Sequence, residues 1–176
     1  MVLVTREISI DMGHRVPNHK SKCRNIHGHR YKIELGVDDK VITNRGESDE
    51  GMVIDFSDLK EVLMDIIDKQ FDHGFVMYEE DPYREIFERI KAGQSLEESN
   101  IWKMNGQPKQ KIIFVDFIPT AENLARYWFE LLIPIMDLKK IYVKYLKVWE
   151  TPNSSAMYTD INYIEDYKDR KAREKK

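Results

Sequence analysis

The chain has 176 residues, 41% hydrophobic and 34% charged, a size and balance that fit one soluble globular domain with a substantial core. Its 28 lysines and arginines against 31 aspartates and glutamates leave a net charge of −3, so no global basic excess points to nucleic acid. Cys23 is the lone cysteine, which excludes an internal disulfide and fits a reducing, cytoplasmic setting. Residues 1–7 carry charge too early for a signal peptide, and no apolar run approaches membrane-spanning length.

Residues 2 to 14 read as a strand. Val2, Val4, Ile8, Ile10, Met12 and His14 share one parity, with Thr5, Glu7 and Ser9 between them. A loop follows over 15 to 26. A second strand begins at His27, whose parity continues through His29, Tyr31, Ile33 and Leu35. Residues 38 to 51 are polar and glycine-bearing, a hairpin connection to a short strand Met52–Asp55. The period then becomes helical: Phe56, Leu59, Val62, Leu63, Ile66, Ile67 and Phe71 form a stripe. Ser57 is the expected N-cap, and the glycine of Asp72-His73-Gly74 the expected stop.

Residues 78 to 110 read as a charged surface insertion with one short helix over about 83 to 91 and a small turn beyond it. Ile112–Asp116 is a buried-type strand. Thr120 caps a second helix striped by Leu124, Trp128, Leu131, Leu132 and Ile135, with a kink or early end at Pro134. Residues 140 to 150 alternate as a strand, with Ile141, Val143 and Tyr145 on one face and Leu146, Val148 and Glu150 on the other. Thr151-Pro-Asn153 turns the chain, and a last strand starts at Ala156. Residues 161 to 176 form a charged tail, expected to be solvated and frayed at its basic end, 168 to 176. The expected class is α+β: one domain over 1–160, an antiparallel sheet with two helices on one face.

Four of the five histidines and the cysteine fall between residues 14 and 29. His27 and His29 share a strand face, and His14 ends the neighbouring strand on its apolar side. Three imidazoles are what a catalytic zinc requires, since they leave a fourth position open. His19 has no parity argument and reads as a loop residue. Cys23 lies in the cationic run Lys22-Cys23-Arg24, which favours a thiolate able to act as a base. Asp72 beside His73 suggests a carboxylate orienting an imidazole, although a helix-capping histidine gives the same pattern. Glu150, at a strand end, could accept two N–H groups from a planar ligand or simply be solvated.

Together, Gly13-His14-Arg15, Cys23-x3-His27-Gly28-His29, Gly51-Met-Val-Ile-Asp-Phe56, Asp72-His73, Pro119-Thr-Ala-Glu-Asn123 and Glu150-Thr151 resemble the 6-pyruvoyltetrahydropterin synthase / 6-carboxytetrahydropterin synthase family, in that family's order. The resemblance implies a tunnelling fold assembled into a barrel, a homohexamer of two trimers with active sites between subunits. It also implies zinc on His14, His27 and His29, a proton-abstracting Cys23, an Asp72–His73 relay, and Glu150 anchoring the pterin and counted with the relay. Thr120 joins the expected substrate-binding residues. The implied substrate is 7,8-dihydroneopterin triphosphate. The compact loop from His14 to Cys23 is closer to the 6-carboxytetrahydropterin branch, which releases acetaldehyde on the 7-deazaguanine (queuosine) route. Triphosphate elimination toward tetrahydrobiopterin is the alternative. A reading of another class is a non-catalytic pterin- or nucleic-acid-binding protein with a structural zinc closed by Cys23 or His19. Three departures from the family pattern are Gly74-Phe-Val-Met77, where the family usually carries a Leu-Asn pair, the long stretch 78 to 110, and the extra tail from about residue 160.

Overall fold

In the computed structural model, which describes residues 1–93 and 110–173, two long strands form the spine. β1 (Val2–His14) and β2 (His27–Asp39) pair antiparallel along their whole length, from Val2 opposite Asp39 to His14 opposite His27. The alternation read from the sequence drives this pairing. Ile8, Ile10, Met12, Tyr31, Ile33 and Leu35 are buried on one face, and a one-residue slip of either strand would turn that strand's three outward.

α1 (Phe56–Leu63) continues through a π-helical stretch, Met64–Asp68, into a last turn, Lys69–Phe71. Its most deeply buried residues, Leu59, Leu63, Ile67 and Phe71, recur every fourth position. On a regular helix that spacing drifts by about 40° per step, and the wider π turns absorb the drift. The N-cap is Asp55, which accepts from the Ser57 N–H at 2.7 Å, so the cap lies two residues before the expected Ser57. The expected strand Met52–Asp55 does not form. That segment is bent so that Asp55 can reach the helix start.

β3 (Phe75–Tyr78) and β4 (Ile112–Val115) lie parallel to β1, while β5 (Val143–Thr151) and β6 (Ser154–Tyr158) extend the other side antiparallel. The order is β4-β3-β1-β2-β5-β6. The sheet is therefore mixed, not antiparallel throughout. β3 was not expected as a strand at all; at four residues it is too short to carry a periodic signal. Parallel neighbours need crossovers, which α1 and α2 (Arg84–Lys91) supply.

α1 and α3 (Ala121–Leu138) cover one face. α2 lies on the other: the Phe75 ring packs at a tilt against Phe87 of α2, while its neighbour Val76 joins the main core. α3 runs through Pro134 to Leu138. Leu132 and Met136, both wholly buried, hold the helix across the missing hydrogen bond. β5 departs from simple alternation as well. A bulge opposite Gly36/Val37 lets Val143 face the core with Leu146 and Val148.

The C-terminal stretch is ordered further than its charge suggested. α4 spans Ile161–Arg173, and Tyr163 and Tyr167 stack on Tyr142. Three aromatic rings outweigh the charged residues between them. Of the expected insertion, the turn beyond residue 93 lies outside the described residues.

Candidate metal and substrate site

The antiparallel register decides the site. His14 faces His27 directly, and His29 sits opposite Met12, diagonal to His14. Ring centroids of His14 lie 4.5 Å from His27 and 5.2 Å from His29. One nitrogen from each of the three lies within 4.8 Å of the others. The rings stand on a buried floor that includes Tyr31, itself edge-on to Trp128.

Local hydrogen bonds set two tautomers. His14 Nδ1 is 2.7 Å from the Pro119 carbonyl, and His27 Nδ1 is 2.8 Å from the Asn25 carbonyl. A carbonyl only accepts, so each Nδ1 donates, and Nε2 is the nitrogen left to act as a ligand. His14 Nε2 and His29 Nε2 are buried without a hydrogen-bond partner. Burial lowers the pKa of His14, outweighing the raising effects of the Pro119 bond and of Glu150; burial also lowers that of His29. Three imidazoles with mutually close ring nitrogens, two of them with orphaned Nε2 atoms, fit a divalent ion that takes nitrogen ligands. The Pro119 and Asn25 carbonyls were not legible in the sequence, because nothing in a residue's identity announces a backbone acceptor.

Glu150 closes one side. Its Oε1 is 3.5 Å from His14 Nε2 and 4.0 Å from His29 Nε2. Burial and then the Glu150 charge push the Tyr31 hydroxyl well above its ordinary pKa, so it stays neutral. A cavity of about 230 Å³ opens beside these groups, with Cys23, His19, Thr120, Glu150, Ser154 and Ser155 among its lining. Cys23 stands at the middle of a 3-10 turn, Lys22–Arg24, half-buried and free. Its sulfur is not part of the mutually close donor group, which among the described residues comprises the three imidazoles. Thr120 caps α3 through its hydroxyl, 3.4 Å from the Asn123 N–H. His19 lines the cavity too, its Nδ1 accepting from the Ser21 N–H at 3.1 Å.

Asp72 and His73 form a dyad but do not line that cavity. His73 Nδ1 donates to Asp72 Oδ2 at 2.7 Å, and Asp72 Oδ1 accepts the Asp11 N–H at 2.9 Å. Burial works to raise the Asp72 pKa, yet the Asp11 N–H, His73 and Lys111 outweigh it and the carboxyl titrates below its ordinary value. His73 holds a left-handed backbone, φ +54°, and its side chain is 78% exposed.

The family model described as 6-pyruvoyl tetrahydropterin synthase matches residues 3–160. The chain belongs to this family. It is 34% identical over 154 residues to a 6-carboxy-5,6,7,8-tetrahydropterin synthase of Rickettsia felis, covering 87% of this chain and 96% of that one. It is 31% identical over 160 residues to the Haemophilus influenzae protein of the same name, covering 91% and 100%. Among solved structures, the fold is similar to an uncharacterised protein of Wolinella succinogenes (TM-score 0.67, 24% identity, 90% of this chain and 98% of that one). It is also similar to the 6-pyruvoyl tetrahydropterin synthase of Caenorhabditis elegans (TM-score 0.56, 23% identity, 90% and 95%). This tetrahydropterin synthase family member thus carries a three-histidine cluster capable of holding a metal. No helix among the described residues is long and apolar enough to cross a membrane.

Proposed function

We propose that this chain is a zinc-dependent, cytoplasmic 6-carboxy-5,6,7,8-tetrahydropterin synthase of 7-deazaguanine (queuosine) biosynthesis. It converts 7,8-dihydroneopterin triphosphate and one water to 6-carboxy-5,6,7,8-tetrahydropterin with release of acetaldehyde and triphosphate. The observation that carries this reading is the convergence of three imidazoles beside a cavity holding both a free thiol and a carboxylate. The names of the Rickettsia felis and Haemophilus influenzae relatives favour the 6-carboxy product.

His14, His27 and His29 are the residues that would hold zinc, with the two carbonyl-fixed rings already in the ligating tautomer. When bound, zinc supplies Lewis-acid stabilisation to oxygen atoms of the substrate side chain. Cys23, as the thiolate, removes a proton from a side-chain carbon. Glu150 accepts N–H groups of the pterin and fixes its position, where a small misplacement costs rate. Thr120, on the same cavity wall, borders the substrate. His73, oriented by Asp72 through Nδ1, keeps Nε2 free to pass protons. Because His73 points to solvent and does not line the Cys23 cavity, its role requires a second copy of the chain. A homohexamer built as a dimer of trimers, with sites between subunits, meets that requirement.

The deciding experiment is mass spectrometry of the products from dihydroneopterin triphosphate with zinc-loaded protein. Acetaldehyde release identifies the 6-carboxy branch; triphosphate release with a 6-pyruvoyl product identifies the reaction for which the matching family model is named. Cys23→Ala should abolish turnover while about one zinc per chain is retained. If that variant instead loses its zinc, the site is a closed four-ligand structural one and the enzymatic reading fails.

A further inference from the structure

The stretch after β3 was expected to lie mostly on the surface, yet Asp81 within it is 3% exposed and Arg15 is 6% exposed. Arg15 Nε lies 3.2 Å from Asp81 Oδ2, and the guanidinium rests 4.2 Å from the centre of the Tyr83 ring. A buried ion pair is costly to desolvate, so its presence asks for a role beyond general stability. Its place in the chain suggests one. Arg15 follows His14 and precedes Val16, whose N–H donates to the Cys23 carbonyl at 2.8 Å. Hydrogen bonds within that loop are local, among them His19 N–H to the Val16 carbonyl, Ser21 N–H to His19 Nδ1 and Asn25 N–H to the Lys22 carbonyl. Arg15 ties the loop base to a different element.

Asp81 is itself held firmly. Its N–H donates to the Tyr78 carbonyl at 3.0 Å, its Oδ1 accepts the Tyr83 N–H at 2.8 Å, and its carbonyl accepts the Arg84 N–H at 2.9 Å. It therefore marks a fixed point between β3 and α2. β3 pairs with β1 at Val76 opposite His14.

We infer that Asp81 is a positioning residue for Cys23: through Arg15 it anchors the loop base, and through the Val16–Cys23 hydrogen bond that anchor sets where the thiol stands relative to the histidines. The inference rests on the reading of Cys23 as the reactive thiol. It adds a residue from outside the motif set, seated in the turn that follows β3 and not in the loop it controls.

Cys23 is the lone cysteine, so thiol alkylation reports on it alone. The test compares full-length wild type with Asp81→Asn, which keeps the shape and removes the charge, and Asp81→Glu, which restores it. Iodoacetamide labelling of Cys23 is followed by intact mass, beside zinc content and kcat and KM. The expected result for Asp81→Asn is labelling at least threefold faster and kcat reduced about tenfold, with zinc retained and KM little changed. Asp81→Glu should recover part of both. Unchanged labelling and kcat in folded Asp81→Asn overturns the inference. Should Asp81→Asn fail to fold, Tyr83→Leu removes the half-exposed ring stacked on the guanidinium; faster labelling of that variant supports the coupling, and unchanged labelling overturns it. If wild type does not turn over dihydroneopterin triphosphate, the proposed function fails, and the labelling rates still decide the coupling.

Discussion

Acidification of the metal-free protein tests the state of His14. Its ring is 1% exposed, and burial holds its pKa below the ordinary 6.5. The unfolded chain takes up a proton as pH falls through 6.5, whereas the folded chain does not. Stability is therefore complete above pH 6.5 and declines below it, until the pH passes the folded-state value. Each pH unit within that window costs about 1.36 kcal/mol for such a histidine. From pH 6.5 to 5.5 His14 should cost the chelated protein up to that amount, which for a chain of this length lowers Tm by roughly 3–5 °C. His29, with an exposed edge, adds to the same trend less strongly. The assay is thermal unfolding of chelator-treated protein at pH 7.5, 6.5 and 5.5, beside His14→Gln. The variant should show a flatter dependence over the lower interval. Equal slopes in both proteins would refute the account of His14 as a buried, neutral ligand in waiting.

Three further outcomes follow. His27→Ala should reduce zinc from about one per chain to near zero by elemental analysis while the far-ultraviolet circular dichroism is kept, because its ring stands half-buried at the first residue of β2. Gly36→Ala should destabilise by about 1–3 kcal/mol in urea titration, since a Cβ there would stand 2.3 Å from the Tyr145 ring; an unchanged midpoint would mean the ring moves freely. Removal of residues 161–176 strips Tyr163 and Tyr167 from Tyr142. It should lower stability by at least about 1–3 kcal/mol for two lost ring pairs, and a truncated protein with an unchanged Tm would show that α4 is dispensable.

The long elements were legible because their signals are local and periodic. β1, β2, α1 and α3 follow from apolar spacing, and the His14, His27 and His29 cluster follows from two strand faces and an antiparallel turn. The short strand β3 was not. β3 is four residues long and takes its conformation from β1 and β4, so its parallel pairing, and hence the mixed sheet, has no local signature. The helix cap at Asp55 in place of Ser57 was decided by which side chain the bent segment brought to the free N–H groups.

The identities of the candidate ligating and reactive side chains, and the alternation that puts His14 on the apolar face of one strand and His27 and His29 on the apolar face of another, were determined by the sequence alone, because side-chain direction in a strand depends only on parity. The three-dimensional fold decided the rest. It chose the Pro119 and Asn25 carbonyls that orient two imidazoles, separated the Asp72–His73 dyad from the Cys23 cavity, and buried Asp81 against Arg15. Each of those depends on packing between residues distant in the chain, or on backbone atoms that every residue shares, and neither is written in the order of side chains.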